Sequence, residues 1–383
     1  MRGSESRLAH LHDFGQSPWF DYISRELVAR GGLKRMVDKD GLGGVTSNPS
    51  IFEKAMGSGT AYDKDVLQLA REGLDAAAIF DRLATNDVRA ACDVLAPVYM
   101  GSGGEDGFVS IEVSPHLAYD AEATIREAQR IYAAVDRPNV MIKIPGTREC
   151  VPAVYECLCD GLNVNVTLLF SMSQYEAIAT AYREALEYRL KHDRTIRASS
   201  SVASFFVSRV DTMVDALLDE QIAVATADAE RQRLEGLKGK AAVANCKLVY
   251  ERFSSYLNGR DWQLIAASGA KVQRLLWAST GTKNPAYSDT LYVDQLIGEH
   301  TVNTLPETTW RAFKDHGALA RTVDRHAEEA HRMVRELSQL GIELEGVGAR
   351  LQTDGIDLFV KSFDGVIGIV DAKRLELLGP DGG

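Results

Sequence analysis

The stretch that decides the fold is Val140-Met141-Ile142-Lys143-Ile144-Pro145-Gly146-Thr147, in which one lysine has only apolar near neighbours. The apolar run is short, begins after Pro138-Asn139 and ends at Pro145-Gly146, which favours a strand over a helix. An ammonium among Met and Ile side chains is desolvated, which favours the neutral amine, a nucleophile towards carbonyls. Alternatively, Lys143 pairs with a carboxylate or binds a phosphate, and this stretch alone leaves both possibilities open.

Other short apolar runs along the chain end in polar residues and are followed by helix-like stretches. This pattern is typical of a parallel barrel with its site at the strand ends. The runs are Gly44 to Pro49, Phe108 to Val113, Asn163 to Phe170, Ser200 to Arg209, Arg274 to Lys283 and Val302 to Pro306. Their polar residues are Asn48, Glu112, Asn165, Thr167, Ser204, Arg209, Ser279 and Lys283. Repetition of the pattern predicts a ring of side chains that converge on one ligand.

Four segments closely resemble the transaldolases: Thr46 to Ser50, Ile142 to Pro145, Asn165 to Ser171 and Ser204 to Arg209. The resemblance extends from about Asp21 to Pro306. It implies a (β/α)₈ TIM barrel in the α/β class and a Schiff-base lysine, which is Lys143. The chain departs from the family pattern in one loop. Many transaldolases have an arginine two residues after Ser279, whereas this chain has Gly281, and the nearest cation is Lys283.

The resemblance also implies the roles of the catalytic residues. Lys143 would attack the ketone of a ketose phosphate, and Glu112 with Thr167 would hold a water and move protons at the carbinolamine. A simple ion pair with Lys143 is the alternative role for Glu112. Asp21 would take the proton of the fourth-carbon hydroxyl, although an Asp at this position could equally be a helix N-cap.

The resemblance implies substrate binding for the remaining site residues. Asn48 and Ser204 would hold the hydroxyls of the dihydroxyacetone unit, with Asn165 beside them. Arg209 and Ser279 would bind the phosphate, with Lys283 as the cation nearest to Ser279. Phe206 would keep water from being positioned at the imine.

The expected activity is transfer of a dihydroxyacetone unit from sedoheptulose 7-phosphate to glyceraldehyde 3-phosphate, in the non-oxidative pentose phosphate route. No cofactor is implied. One alternative is a fructose 6-phosphate aldolase, but that type has glutamine where this chain has Glu112 and tyrosine where it has Phe206. Another is a catalytically silent sugar-phosphate-binding protein on the same fold.

Length and charge agree with this expectation. A chain of 383 residues exceeds the roughly 250 of a typical barrel, so we expect extra helices. We predict one domain over residues 1–383 with a C-terminal helical extension at about 309–378. The net charge of -11 argues against a general nucleic-acid surface, and a phosphorylated substrate then needs a local basic site.

Several other classes of protein are disfavoured. The five cysteines are odd in number and form no CxxC pair, and the eight histidines are scattered, so neither a disulfide framework nor a metal site is expected. No segment approaches the roughly 20 apolar residues of a membrane span, and Met1 to His12 lacks an apolar signal core. We expect a cytoplasmic protein, and the sequence leaves monomer and homodimer open.

The C-terminal part changes to helical periodicity. We predict one amphipathic helix from about Ala318 to Leu340 and a second from near Asp354, with Asp354 as its N-cap. The aromatic residues of the second helix either pack in a core or, as the resemblance implies, cover the barrel mouth. The tail Gly379 to Gly383 is expected to be disordered.

Overall fold

Eight parallel strands form a closed barrel at the centre of the computed structural model, which describes residues 6–197 and 199–379. Each strand pairs with the next one in the sequence, and the last pairs with the first. The strands are β1 Gln16–Phe20, β2 Gly44–Val45, β3 Phe108–Glu112, β4 Val140–Pro145, β5 Val164–Leu169, β6 Ser201–Phe206, β7 Arg274–Ala278 and β8 Thr301–Leu305. The predicted (β/α)₈ barrel is therefore confirmed.

Helices surround the barrel and fill the connections between its strands. They are α1 Arg25–Ala29, α2 Gly32–Asp40, α3 Pro49–Gly57, α4 Asp63–Arg71, α5 Ala76–Gly101, α6 Ala121–Val135, α7 Val151–Cys159, α8 Met172–Lys191, α9 Ser208–Val224, α10 Asp228–Glu235, α11 Ala241–Leu257, α12 Arg260–Ala266, α13 Leu291–Gln295, α14 Glu307–His316, α15 Ala327–Gln339 and α16 Leu344–Leu378. Short 3₁₀ helices lie at Ala9–Phe14 and Pro115–Leu117. The extra helices account for the length beyond that of a minimal barrel.

The strand register brings the polar residues of neighbouring strands together. Glu112 pairs with Lys143 across β3 and β4, and Lys143 pairs with Asn165 across β4 and β5. Because all strands are parallel, their carboxyl ends meet at one mouth of the barrel. Residues that are far apart in the sequence therefore reach one place.

An irregularity interrupts the pairing of β5 with β6 next to this mouth. The register shifts between Val166 and Leu169, and Leu168 has a left-handed backbone with φ of 62°. Bulges of this kind redirect side chains and are common beside active sites. The shift falls at Thr167, a predicted catalytic residue.

The long helix α16 lies across the carboxyl ends of the strands and packs on α3, α4 and α5. Its Gln352 amide donates to the backbone oxygens of Gly146 and Leu168 at 2.9 and 3.0 Å. Two glycines permit the close approach: a Cβ at Gly348 would lie 2.7 Å from Ser171, and one at Gly355 would lie 3.0 Å from Leu168. Of the two alternatives for this helix, the structure supports the one in which it covers the mouth.

The predicted boundaries of the last helices were wrong. The first spans only Ala327–Gln339, because the backbone of Thr322 and Val323 bonds to Ile297 instead and His326 is left-handed with φ of 63°. The second begins at Leu344, so Asp354 is an interior residue and not an N-cap. Its glycines hid this beginning, since glycine weakens a helix pattern in the sequence.

Two predictions concern features that the described residues do not decide. The division into one domain with an extension at about 309–378 stays a prediction. The disordered tail falls almost entirely on residues 380–383, which lie outside the described residues. Among the described helices, none combines the length and apolar character that a membrane crossing requires.

Candidate active site

A cavity of about 460 Å³ opens at the carboxyl ends of the strands, beneath α16. Nine of the eleven predicted site residues line it: Asp21, Asn48, Lys143, Thr167, Ser204, Phe206, Arg209, Ser279 and Lys283. Glu112 and Asn165 contact these residues from behind the cavity wall. The structure thus brings all eleven predicted residues to one site.

Lys143 is buried on β4 and its amine faces a carboxylate on β3. Its Nζ donates to the backbone oxygen of Ser47 at 3.0 Å and lies 3.7 Å from Oε1 of Glu112. The two side chains are only 6% and 5% exposed. Such a pair is costly to bury unless further interactions support it, which favours a functional role over a structural one.

The Glu112 carboxylate and the Thr167 hydroxyl are buried polar groups, and Glu112 contacts Lys143 only at ion-pair distance. Within the part of the chain that the structure describes, the two carboxylate oxygens of Glu112 and the Oγ1 of Thr167 make no hydrogen bond. Burial raises the pKa of Glu112 to about 7, against the lowering effect of Lys143. Buried polar atoms normally make hydrogen bonds, so these two groups are suited to binding a small polar molecule such as water.

Asp21 follows β1 and is held by Thr46, which in turn contacts Thr304. Thr46 donates to Asp21 Oδ1 at 2.6 Å, and the hydroxyls of Thr46 and Thr304 are also 2.6 Å apart. Burial raises the pKa of Asp21. The N-cap of α1 is Ser24, so Asp21 is not a helix cap.

Two amides on neighbouring elements have different surroundings. Asn48 is the N-cap of α3, and its Oδ1 accepts from the Ile51 backbone at 3.1 Å, which leaves its NH₂ group for a ligand. Asn165 lies deeper, where it donates to Ser110 at 3.0 Å and accepts from Ser204 at 2.6 Å. Asn165 therefore supports Ser204 from behind the cavity.

The far side of the cavity is basic. Arg209 lies in the first turn of α9, 5.8 Å from the centre of the Phe206 ring, and Phe206 packs on Phe170 at 5.1 Å. Ser279 has a left-handed backbone with φ of 56°, and its hydroxyl is 3.0 Å from that of Ser208. A serine in this conformation is strained, and strain of this kind clusters at functional sites.

The loop after β7 accommodates a glycine where many relatives are expected to have arginine. A Cβ at Gly281 would lie 3.3 Å from Thr309 Oγ1 and 3.4 Å from Pro306. These contacts are tight, so neighbouring residues would have to shift to admit a side chain. Lys283 is the cation that this loop presents to the cavity.

Sequence reasoning missed several residues of the site. Lys54 and Ser50 on α3 line the cavity, as do Tyr22 and Thr304, and Phe359 of α16 lies 6.0 Å from Nζ of Lys143. The one available signal was Lys54, which follows Ser50 by four residues and so shares its helix face. The others are brought in by tertiary packing.

No cluster of three or more metal-ligating side chains occurs in residues 6–197 and 199–379.

Comparison with known proteins assigns the family. The family model described as Transaldolase/Fructose-6-phosphate aldolase matches residues 18–369. The chain belongs to this transaldolase/fructose-6-phosphate aldolase family.

Full-length relatives within this family are named as transaldolases. A protein named Transaldolase 2 from a Nostoc species is 44% identical over 378 residues, covering 98% of this chain and 99% of the relative. The Transaldolase of Trichodesmium erythraeum is 44% identical, covering 97% and 98%. That of Thiobacillus denitrificans is 44% identical, covering 92% and 96%. These matches support transaldolase activity for this family member.

The raised pKa of Glu112, about 7 against an ordinary 4.5, predicts a pH-dependent cost of folding. Below about pH 4.5 both states are protonated and there is no cost. As the pH rises to about 7 the unfolded chain ionises first, so the native state loses about 1.4 kcal/mol per unit of pKa difference, or about 3 kcal/mol. Glu112→Gln cannot titrate and should escape this loss.

Denaturant unfolding of the wild type and Glu112→Gln between about pH 4 and pH 8 measures the effect. We expect the free energy of unfolding of the wild type to fall relative to the variant as the pH rises. Parallel curves for the two proteins would show that Glu112 titrates normally in the native state.

Proposed function

We propose that this protein is a transaldolase that transfers a dihydroxyacetone unit from sedoheptulose 7-phosphate to glyceraldehyde 3-phosphate. The products are erythrose 4-phosphate and fructose 6-phosphate. The observation that carries the proposal is the buried amine of Lys143, which faces Glu112 on one side and a basic cavity on the other. The three-carbon unit is held on Lys143 as a Schiff base between the two half-reactions.

Imine formation needs a proton donor that can later act as an acceptor. Attack of Lys143 on the ketone gives a carbinolamine, whose hydroxyl leaves as water when it receives a proton. We assign this proton transfer to Glu112, through a water held between Glu112 and Thr167. The oxygens of both residues make no hydrogen bond within the described part of the chain, which supports this role, and a pKa of about 7 suits Glu112 as a group that both gives and takes protons.

Cleavage of the bond between the third and fourth carbons needs a base. Asp21 takes the proton of the fourth-carbon hydroxyl, and the electron pair of the broken bond moves into the protonated imine. The hydrogen bond from Thr46 orients the carboxylate, and burial raises the pKa of Asp21, which strengthens it as a base. The aldose phosphate leaves, and the resulting enamine then attacks the second aldose phosphate by the reverse steps.

The substrate hydroxyls and phosphate are held by the cavity wall. Asn48 donates its free NH₂ group to a hydroxyl, and Ser204 accepts from another while Asn165 fixes its orientation. Arg209, Ser279 and Lys283 bind the phosphate, since a guanidinium can hold phosphate bidentately. Four cations against two carboxylates line the cavity, which suits an anionic substrate in an acidic protein.

The alternative activity is release of free dihydroxyacetone, as in the aldolases of the same family. Resemblance assigns glutamine and tyrosine to that type at positions 112 and 206, where this chain has Glu112 and Phe206. Phe206 lines the cavity and donates no hydrogen bond to a water. We therefore favour transfer. A silent binding protein would not need a buried amine beside a carboxylate.

The remaining assignments follow from the proposed activity. The ligands are sugar phosphates, and neither a nucleic acid nor a membrane is a partner. The reaction uses no cofactor and no metal, because the protonated imine is the electron sink. The protein acts in the cytoplasm as a monomer or a homodimer.

The proposal predicts that Lys143 carries the intermediate. Purified protein with fructose 6-phosphate and erythrose 4-phosphate should form sedoheptulose 7-phosphate. Borohydride added with fructose 6-phosphate should leave a dihydroxyacetone-sized mass increment on the peptide that contains Lys143. Lys143→Arg should be inactive, because a guanidinium stays charged. A label on another lysine would contradict the assignment.

Arg209 should contribute to phosphate binding and not to chemistry. We expect Arg209→Ala to reduce kcat/KM for fructose 6-phosphate by about 10- to 150-fold, the value of one charge-assisted contact, and to affect unphosphorylated fructose little. Arg252→Ala is a matched control, since Arg252 is exposed and pairs with Glu176 outside the site. Equal losses on both sugars would refute the assignment.

Phe206→Tyr should shift the enzyme from transfer towards release. The added hydroxyl can orient a water at the imine carbon, and a tenfold change in partition needs only about 1.4 kcal/mol. The measurement is the ratio of free dihydroxyacetone to sedoheptulose 7-phosphate formed from fructose 6-phosphate and erythrose 4-phosphate. If the variant folds, forms the trapped imine and keeps the wild-type ratio, water control must lie elsewhere.

A further inference from the structure

Two buried aspartates on α9 lie outside the cavity and have no part in the proposed chemistry. Asp211 is 1% exposed and Asp215 is 9% exposed. With Ser208 they occupy positions i, i+3 and i+7, so the three share one helix face. This face is turned to the loop that follows β7, residues 279–290, here called the phosphate loop.

Each aspartate binds one tyrosine of the phosphate loop or of the helix that follows it. Asp215 accepts from the hydroxyl of Tyr287 at 2.6 Å and from the backbone of Gly239 at 2.9 Å. Asp211 accepts from the hydroxyl of Tyr292 at 2.9 Å and from the backbone of Ala242 at 2.7 Å.

The ring of Tyr287 is also fixed by packing against Gly239. A Cβ at Gly239 would lie 2.7 Å from this ring, and the φ of 70° there is the left-handed conformation that glycine favours. Tyr287 is thus held at its hydroxyl by Asp215 and at its ring by Gly239. Two independent contacts fix the end of the phosphate loop.

Burying two neighbouring carboxylates is energetically unfavourable, so stabilising the fold is a poor explanation for this arrangement. Two carboxylates one helical turn apart repel each other, and burial raises the pKa of Asp211 to about 6. Apolar residues of similar size could pack the same surface without that cost. Carboxylates instead impose a defined direction on each tyrosine hydroxyl, which is what positioning requires.

The same helix also carries the other half of the phosphate subsite. Arg209 lies in its first turn, next to Ser208, whose backbone N–H donates to Ser279 at 3.1 Å and whose hydroxyl is 3.0 Å from that of Ser279. The phosphate loop is therefore tied to α9 at its beginning through Ser208 and at its end through Asp215. Lys283 lies between these two attachments.

We propose that α9 is the frame of the phosphate subsite and that Tyr287 is a positioning residue which, through Asp215, places Lys283 opposite Arg209. The substrate class is the sugar phosphates of the proposed function, on which this inference rests. Because Gly281 has no side chain, the affinity for phosphate depends on how firmly the loop holds Lys283. Tyr287 and Asp215 supply that firmness without touching the substrate.

The test is Tyr287→Phe, which removes one hydroxyl and keeps the ring against Gly239. We expect KM for fructose 6-phosphate to rise about 3- to 10-fold, the value of one net hydrogen bond, with kcat nearly unchanged. With fructose as donor and glyceraldehyde as acceptor, which both lack phosphate, the variant should have the same KM and kcat as the wild type. In a Lys283→Ala background the same substitution should have no further effect on KM.

Tyr256→Phe is the matched control. The Tyr256 hydroxyl lies outside the site and donates to the backbone oxygen of Ala179 at a distance of 3.1 Å. This substitution should leave KM unchanged. The inference is overturned if Tyr287→Phe leaves KM for fructose 6-phosphate unchanged or raises KM for fructose by the same factor. It is also overturned if the substitution raises KM by its full factor in the Lys283→Ala background. Absence of transfer by the wild type would instead refute the proposed function.

Discussion

The structure depends on one constraint, which is that the Lys143 amine and the Glu112 carboxylate must be kept 3.7 Å apart where their side chains are only 6% and 5% exposed. Parallel pairing of β3 with β4 places Glu112 opposite Lys143, and the Ser47 backbone oxygen takes a hydrogen bond from Nζ. Removing either partner would leave the other uncompensated. A closed barrel meets this demand because no strand can slip its register without breaking both of its neighbours' ladders.

The closed barrel also gathers cationic side chains at its mouth, so that a protein with a net negative charge has a basic site. Many charges on the outer surface are paired within reach of each other, for example Arg130 with Asp81 and Glu127, and such exposed pairs contribute little at long range. At the mouth, Lys54, Lys143, Arg209 and Lys283 converge while Asp21 and Glu307 are the acidic lining residues. The sign of the local field is therefore opposite to that of the net charge of -11.

Local pattern was sufficient for seven of the eight strands and for the residues at their ends, because a polar side chain in an apolar run is conspicuous, but β1 at Gln16–Phe20 was not among the predicted runs. Lys143, Thr167 and Ser204 were found in this way. It was insufficient where tertiary contacts decide. The Ser47 carbonyl carries no sequence signal, Phe359 arrives from a helix almost 200 residues after β5, and the beginning of α16 was hidden by glycines that close packing requires. Asn165 was placed correctly in the chain, but only the structure shows it behind Ser204.

Helix α16 ties these features to the choice between transfer and release. Its glycines let it approach Leu168 and Ser171, and Gln352 fastens it to the irregular end of β5. Phe359 then stands over Lys143, while Phe206 lines the cavity wall beneath Arg209. Neither ring can bind a water strongly, whereas Glu112 and Thr167 present buried oxygens that make no hydrogen bond within the described residues. In the mechanism that we propose, a water held there would transfer protons at the carbinolamine, and the helix would limit other waters and so protect the enamine until the second aldose phosphate arrives.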